Sequence, residues 1–92
     1  MRFEWDDAKS AANLRKHGVS FDEATEVFSD PFVLMRKDAA HSYEEERLFV
    51  VGYSVARMLY VAYTERRGEM IRIISARLPT SAERKAYEEQ ER

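Results

Sequence analysis

Apolar positions recur at helical spacing in the first third of the chain, and from residue 32 onward they run together or alternate as strand residues do. Residues 2–5 predict a short strand. Asp6 is then a helix N-cap, because its carboxylate can accept from the free amides of a first turn. The helix runs through Ala8, Lys9, Ala11, Ala12, Leu14 and Arg15. It stops at Gly18, the residue type that most easily takes the left-handed conformation after a helix. Lys16 and His17 sit in its last turn, where positive charge meets the negative end of the dipole. Ser20-Phe21-Asp22-Glu23 predicts a capping box, with Ser20 as cap and Glu23 reaching back. Phe21, Ala24, Val27 and Phe28 make the buried stripe of that second helix, and Asp30-Pro31 ends it, since the residue before proline avoids the helical region.

Phe32-Val33-Leu34-Met35 reads as a strand, and His41-Ser42-Tyr43-Glu44-Glu45 as a polar turn. Three runs rich in Val, Ile, Tyr and Phe follow, Arg47–Ser54, Met58–Glu65 and Met70–Arg77. Gly52 is placed at a bulge. Arg66-Arg67-Gly68-Glu69 is short enough to make a hairpin of the last two strands. Alternation puts Leu59, Val61, Tyr63 and Glu65 on one face of the middle run and Met58, Tyr60, Ala62 and Thr64 on the other. In the last run it puts Ser75 and Arg77 with Ile71 and Ile73, and Arg72 with Ile74 and Ala76. Arg72 and Arg77 therefore fall on opposite faces unless the strand end twists. Pro79 breaks that strand, and Thr80-Ser81-Ala82-Glu83 predicts a second capping box. A polar last helix follows, with Ala82, Ala86 and Tyr87 to bury. The order predicts an α+β fold of strand, two helices, an antiparallel sheet of about four further strands, and a C-terminal helix. The helices cover mainly one sheet face, and the other is left partly open.

Composition narrows the picture. The 92 residues make one domain, residues 1–92, with a thin core. No run approaches the roughly 20 apolar residues of a membrane span. There are no cysteines, which removes disulfides, thiolate metal sites and cysteine nucleophiles and fits a reducing cytoplasm. The net charge of −2 hides an asymmetry. Residues 1–46 carry 6 Lys/Arg against 11 Asp/Glu, and residues 47–92 carry 9 against 6. The later cations are mostly arginine, whose planar fork suits phosphate.

The available chemistry is limited. His17 and His41 are the only histidines and stand in no metal-binding spacing, so no metal and no cofactor is expected. Gly-rich phosphate loops and a nucleophile elbow are absent. What the inventory allows is phosphodiester chemistry on RNA, whose own 2′-hydroxyl is the nucleophile. The protein must then stabilise the charged phosphorane and move protons. Tyr63, Glu65, Arg66, Arg72, Arg77, Arg84 and Tyr87 are the candidates. The junction from Arg77 to Glu83, where a strand end meets a helix start, is a natural anion site.

The pieces Phe3-Glu4-Trp5-Asp6, Asn13, Lys16-His17-Gly18-Val19-Ser20-Phe21, Phe28, Asp30-Pro31, His41-Ser42, Glu46-Arg47, Gly52-Tyr53-Ser54, Tyr63-Thr64-Glu65-Arg66, Ile71-Arg72-Ile73-Ile74-Ser75-Ala76-Arg77, Glu83-Arg84 and Tyr87-Glu88 occur in an order that resembles the BrnT toxin family. The chain departs from that pattern at Leu78-Pro79 and at Val55-Ala56-Arg57. The resemblance implies a RelE-like fold and a ribonuclease that arrests translation. It also implies a BrnA-like antitoxin with a ribbon-helix-helix DNA-binding part, bound in a hetero-oligomer, with a toxin homodimer possible. Carried to this chain, it implies that Arg77, Glu65, His17 and Tyr87 are catalytic and that Lys16, Arg66, Arg72 and Arg84 bind RNA. Two other readings stand beside it. One is a protein-binding module without catalysis, and the other is a small dimerisation domain.

Overall fold

The computed structural model describes residues 1–41 and 45–90, so the polar turn expected over 41–45 falls largely outside the described residues. The elements are β1 (Arg2–Glu4), α1 (Asp7–His17), α2 (Phe21–Glu26) with a 3-10 turn at Val27–Ser29, β2 (Leu34–Lys37), β3 (Leu48–Tyr53), β4 (Met58–Arg66), β5 (Met70–Arg77) and α3 (Ser81–Glu89). Capping residues set the helix ends. Asp6 accepts from the Lys9 amide at the start of α1, and Gly18 ends it at φ 69°. Ser20 accepts from the Glu23 amide at the start of α2. Glu23 does not reach back to complete a box there. Its carboxylate is held instead by Arg57 and Ser54. At α3 both bonds of the Thr80–Glu83 box are made.

The five strands form one mixed sheet in the order β1-β5-β4-β3-β2. β1 runs parallel to β5, and the other pairs are antiparallel. β2 begins two residues later than the apolar run implies. Asp30 explains the delay, because its Oδ1 accepts from the Phe32 amide and its carbonyl from the Val33 amide, which folds the intervening chain into a turn.

α1 and α2 cover one face. The core there gathers Val19, Phe21, Ala24, Val27, Val50, Leu59, Val61, Tyr63, Ile71 and Ile73, with Phe3, Trp5 and Phe28 packed against it. α3 lies on the opposite face, where Leu34, Val51, Met58 and Tyr87 form a smaller cluster. Gly52 is not at a bulge, since β3 pairs with β4 without interruption through Gly52 and Leu59. It permits a close approach. A Cβ there would stand 3.0 Å from Val27 Cγ1 and 3.1 Å from Asp30 Oδ2.

The bulge is in β5. Ala62 pairs with Ser75 and Tyr63 pairs with Ile73, so Ile74 is the extra residue. This reverses the alternation beyond it. Arg77 pairs with Tyr60 and Arg72 with Thr64, and Tyr60 and Thr64 share a face of β4. Arg72 and Arg77 therefore lie on the same face, contrary to the alternation read from the sequence.

Candidate functional site

The bulge brings a cation and two aromatic rings together on the α3 side of the sheet. Arg77 ends β5 with its guanidinium carbon 3.8 Å above the Tyr60 ring centroid. Phe49, one strand further across, stacks on Tyr60 at 5.0 Å and 29°. Such a contact draws the guanidinium to the ring face. Glu83 fixes the other side of Arg77 through two hydrogen bonds, of 2.8 and 3.0 Å. The Leu78 carbonyl accepts a third at 3.1 Å. The Leu78-Pro79 departure thus leaves the junction intact, and Thr80 caps α3 directly after it.

The anion site expected at this junction is occupied by the protein itself. Glu83 Oε1 accepts from the Thr80 amide at 2.9 Å, and Thr80 Oγ1 accepts from the Glu83 amide at 3.1 Å. Burial acts to raise the pKa of Glu83, but its bonds to Arg77 and Thr80 outweigh it, and the carboxyl is held below the usual range. Glu83 is thus ionised at neutral pH and is no general acid. The bonds to Glu83 raise the pKa of Arg77 in turn, so its charge is permanent. Burial pushes the Tyr60 phenol up against the opposing pull of Arg77, which keeps its hydroxyl protonated as a donor.

Other predicted residues lie elsewhere. Arg72 shares the Arg77 face and bonds Glu4 at 2.8 Å. Arg66, at the far end of β4, pairs with Glu45 at 3.2 Å. Arg84 is exposed on α3. Glu65 is not brought to Arg77. It pairs with Ile71, on the face of Tyr63, and borders a cleft of about 380 Å³ with Met1, Glu69 and Met70. Five strand positions separate it from Tyr60, roughly 16 Å at about 3.3 Å per residue. Tyr63 is 1% exposed, and burial drives its pKa to about 12, which makes it a core residue. Tyr87 is also buried, with its hydroxyl on Asp30 at 2.7 Å and its ring edge-on to Tyr53. It anchors α3 to the sheet. Lys16 and His17 line a separate groove between α1 and the outer edge of β5.

Tyr60 and Phe49 have no role in the sequence reading, although alternation places Tyr60 on the correct face. Their importance depends on the Arg77 register, which the bulge sets. Thr64, beside Arg72, has a buried hydroxyl with no partner among the described residues. Among the described residues, no three His, Cys, Asp or Glu side chains converge as a metal site would require, and no helix is long and apolar enough to cross a membrane.

The arrangement offers a fixed arginine, its charge balanced by Glu83, on an aromatic platform at a partly open sheet face. No curated protein matches the chain. A solved structure does: the ribonuclease toxin BrnT of Brucella abortus superposes with a TM-score of 0.64 at 21% identity, over 88% of this chain and 99% of that one. At that identity the likeness speaks for the fold. A family model described as the ribonuclease toxin BrnT of type II toxin–antitoxin systems matches residues 5–83. The chain therefore belongs to the BrnT family of ribonuclease toxins of type II toxin–antitoxin systems.

Proposed function

We propose that this protein is a metal-independent endoribonuclease that works on the Arg77–Tyr60 face. The observation that carries the reading is Arg77 itself, clamped by Glu83 and seated 3.8 Å over Tyr60 beside the Phe49 ring. The substrate's 2′-hydroxyl attacks the adjacent phosphorus. The 2′-hydroxyl gives its proton to water, the P–O bond to the next nucleotide breaks, and the leaving 5′ oxygen takes a proton from water, which leaves a cyclic phosphate and a free 5′-hydroxyl. Arg77 stabilises the charge of the phosphorane, a role of this kind being worth on the order of 10²–10³ in rate. The Tyr60 hydroxyl donates a hydrogen bond to the reacting phosphate. The Tyr60–Phe49 pair offers a stacking surface for a base. Arg72 extends the cationic side of the same face and Arg84 flanks it on α3, while Arg66 lies as far away as Glu65. Glu65 and Tyr87 have no catalytic part, because Glu65 is remote and the Tyr87 hydroxyl is committed to Asp30.

RelE-like use of the sheet face and last helix, translation arrest in the cytoplasm, and a BrnA-like ribbon-helix-helix antitoxin complete the reading. These rest on family membership. Residues 1–92 act as one toxin domain. The test is incubation of single-stranded RNA with the purified protein, freed of partner, in excess chelator. Cleavage to cyclic-phosphate ends is expected. RNA left intact both with and without added ribosomes would overturn the ribonuclease reading for this chain and favour a purely binding role.

A further inference from the structure

Helix α1 has a polar inner stripe. Ser10, Asn13 and His17 are its positions that are not exposed, while Leu14 is 51% exposed. A surface helix ordinarily buries apolar residues at this spacing. Asn13 docks α1, through bonds to the Val19 carbonyl and to both backbone groups of Ala76. The adjoining stripe of Lys9, Ala12 and Lys16, together with His17, forms one wall of a groove of about 250 Å³. Ile74 and Ser75 of β5 form the other wall. Among the described residues no carboxylate lines it.

The β5 wall is an open strand edge. β1 pairs with β5 only from Met70 to Arg72, and Asn13 takes the backbone of Ala76. Among the described residues, no strand pairs with the outer side of the bulged Ile74. Two lysines, a histidine and a serine thus line one groove, and no acid lines it among the described residues. The two lysines without an opposing acid favour an anion such as a phosphate.

We propose that this groove is a second phosphate subsite, which holds the RNA strand beyond the bond at Arg77, past the outer edge of β5. The inference rests on the RNA-cleaving reading. Ser75 is two residues from Arg77 on the same strand, roughly 7 Å at about 3.3 Å per residue. Lys9 and Lys16 are binding residues in this scheme, and their contribution requires a substrate long enough to reach them.

The test pairs Lys9→Ala/Lys16→Ala with Lys9→Arg/Lys16→Arg. The probes are a non-cleavable 2′-O-methyl RNA decamer and a dinucleotide of the same chemistry, with cleavage of an unmodified RNA assayed in parallel. The alanine pair should weaken decamer binding on the order of tenfold. It should also flatten the log–log salt slope by about 1.4, at about 0.7 per phosphate on a single strand. Dinucleotide binding should be unchanged, and the arginine pair should bind like wild type. Unchanged decamer affinity and salt slope in the alanine pair would overturn the subsite, even if wild type cleaves RNA. So would equal weakening toward both probes, or weakened binding to a purified antitoxin with RNA binding intact. If wild type cleaves nothing yet the decamer effect appears, the groove stands and the ribonuclease reading falls. If wild type does not bind the decamer, the subsite falls, and the parallel cleavage assay alone decides the ribonuclease reading.

Discussion

Tyr60 is the residue on which the proposed site turns, because it touches both the cation and the second aromatic ring. A stacked base is worth about 1–3 kcal/mol. Tyr60→Ala removes the platform under Arg77 and should lower RNA cleavage at least tenfold. Tyr60→Phe keeps the ring and loses only the hydroxyl, so its defect should be smaller. Comparing the two rates checks this, and equal activity of Tyr60→Ala and wild type would remove Tyr60 from the site. Gly52 makes a separate point about packing. An added Cβ would meet Val27, Asp30 and Val33 at 3.0–3.2 Å. Overpacking of this kind costs about 1–3 kcal/mol. Gly52→Ala should therefore lower the Tm measurably, by thermal denaturation, while leaving the cleavage chemistry intact in the folded fraction.

Among the elements, α1 is held by hydrogen bonds where most helices are held by apolar packing. Its one buried residue is Asn13, whose carboxamide both donates to and accepts from Ala76 in the strand. Asn13→Ala leaves the amide and carbonyl of Ala76 without a partner, and each buried orphan costs about 1–3 kcal/mol. A loss of about 2–4 kcal/mol in denaturant unfolding is expected, and a loss below about 0.5 kcal/mol would contradict that account of α1. Helix ends were legible in the sequence because caps are local: Asp6, Gly18, Ser20 and Thr80 all act within a few residues of themselves. The face of Arg77 was not legible. It depends on one extra residue, Ile74, in a long-range pairing with β4, and simple alternation carried Arg77 to the wrong side. The same gap hid the partnership of Arg77 with Tyr60 and Phe49. Glu23 departs from the capping box for a related reason: Arg57, 34 residues away, takes its carboxylate.

At the scale of the whole molecule, two ion pairs tie distant segments and link stability to pH. Arg57 joins Glu23 to the β3–β4 turn and also bonds the Gly18 carbonyl, and Arg77 joins β5 to α3 through Glu83. The bond to Arg57 lowers the pKa of Glu23 against the effect of burial, and Glu83 is lowered as well, both from an ordinary 4.5. Folding therefore favours the ionised forms. Their stabilisation is complete above pH 4.5 and is lost as pH falls through the depressed folded values. The Tm should drop on acidification below that point. The double variant Glu23→Gln/Glu83→Gln should start lower at neutral pH and show a shallower acid slope. An unchanged slope would mean that other carboxylates govern acid unfolding.

The central claim is that a clamped, ring-seated Arg77 carries the cleavage of RNA. Single-turnover cleavage of one defined RNA by wild type, Arg77→Ala and Arg77→Lys, with the Tm of each recorded alongside, tests it most directly. Arg77→Ala should lose about 10²–10³ in rate while remaining folded, since it removes the charge that meets the phosphorane. Arg77→Lys should recover only part of that loss, because a point charge cannot reproduce the two-pronged bond to Glu83 or the planar contact with Tyr60. A folded Arg77→Ala protein that cleaves at the wild-type rate would contradict the claim and move the active site elsewhere on the molecule.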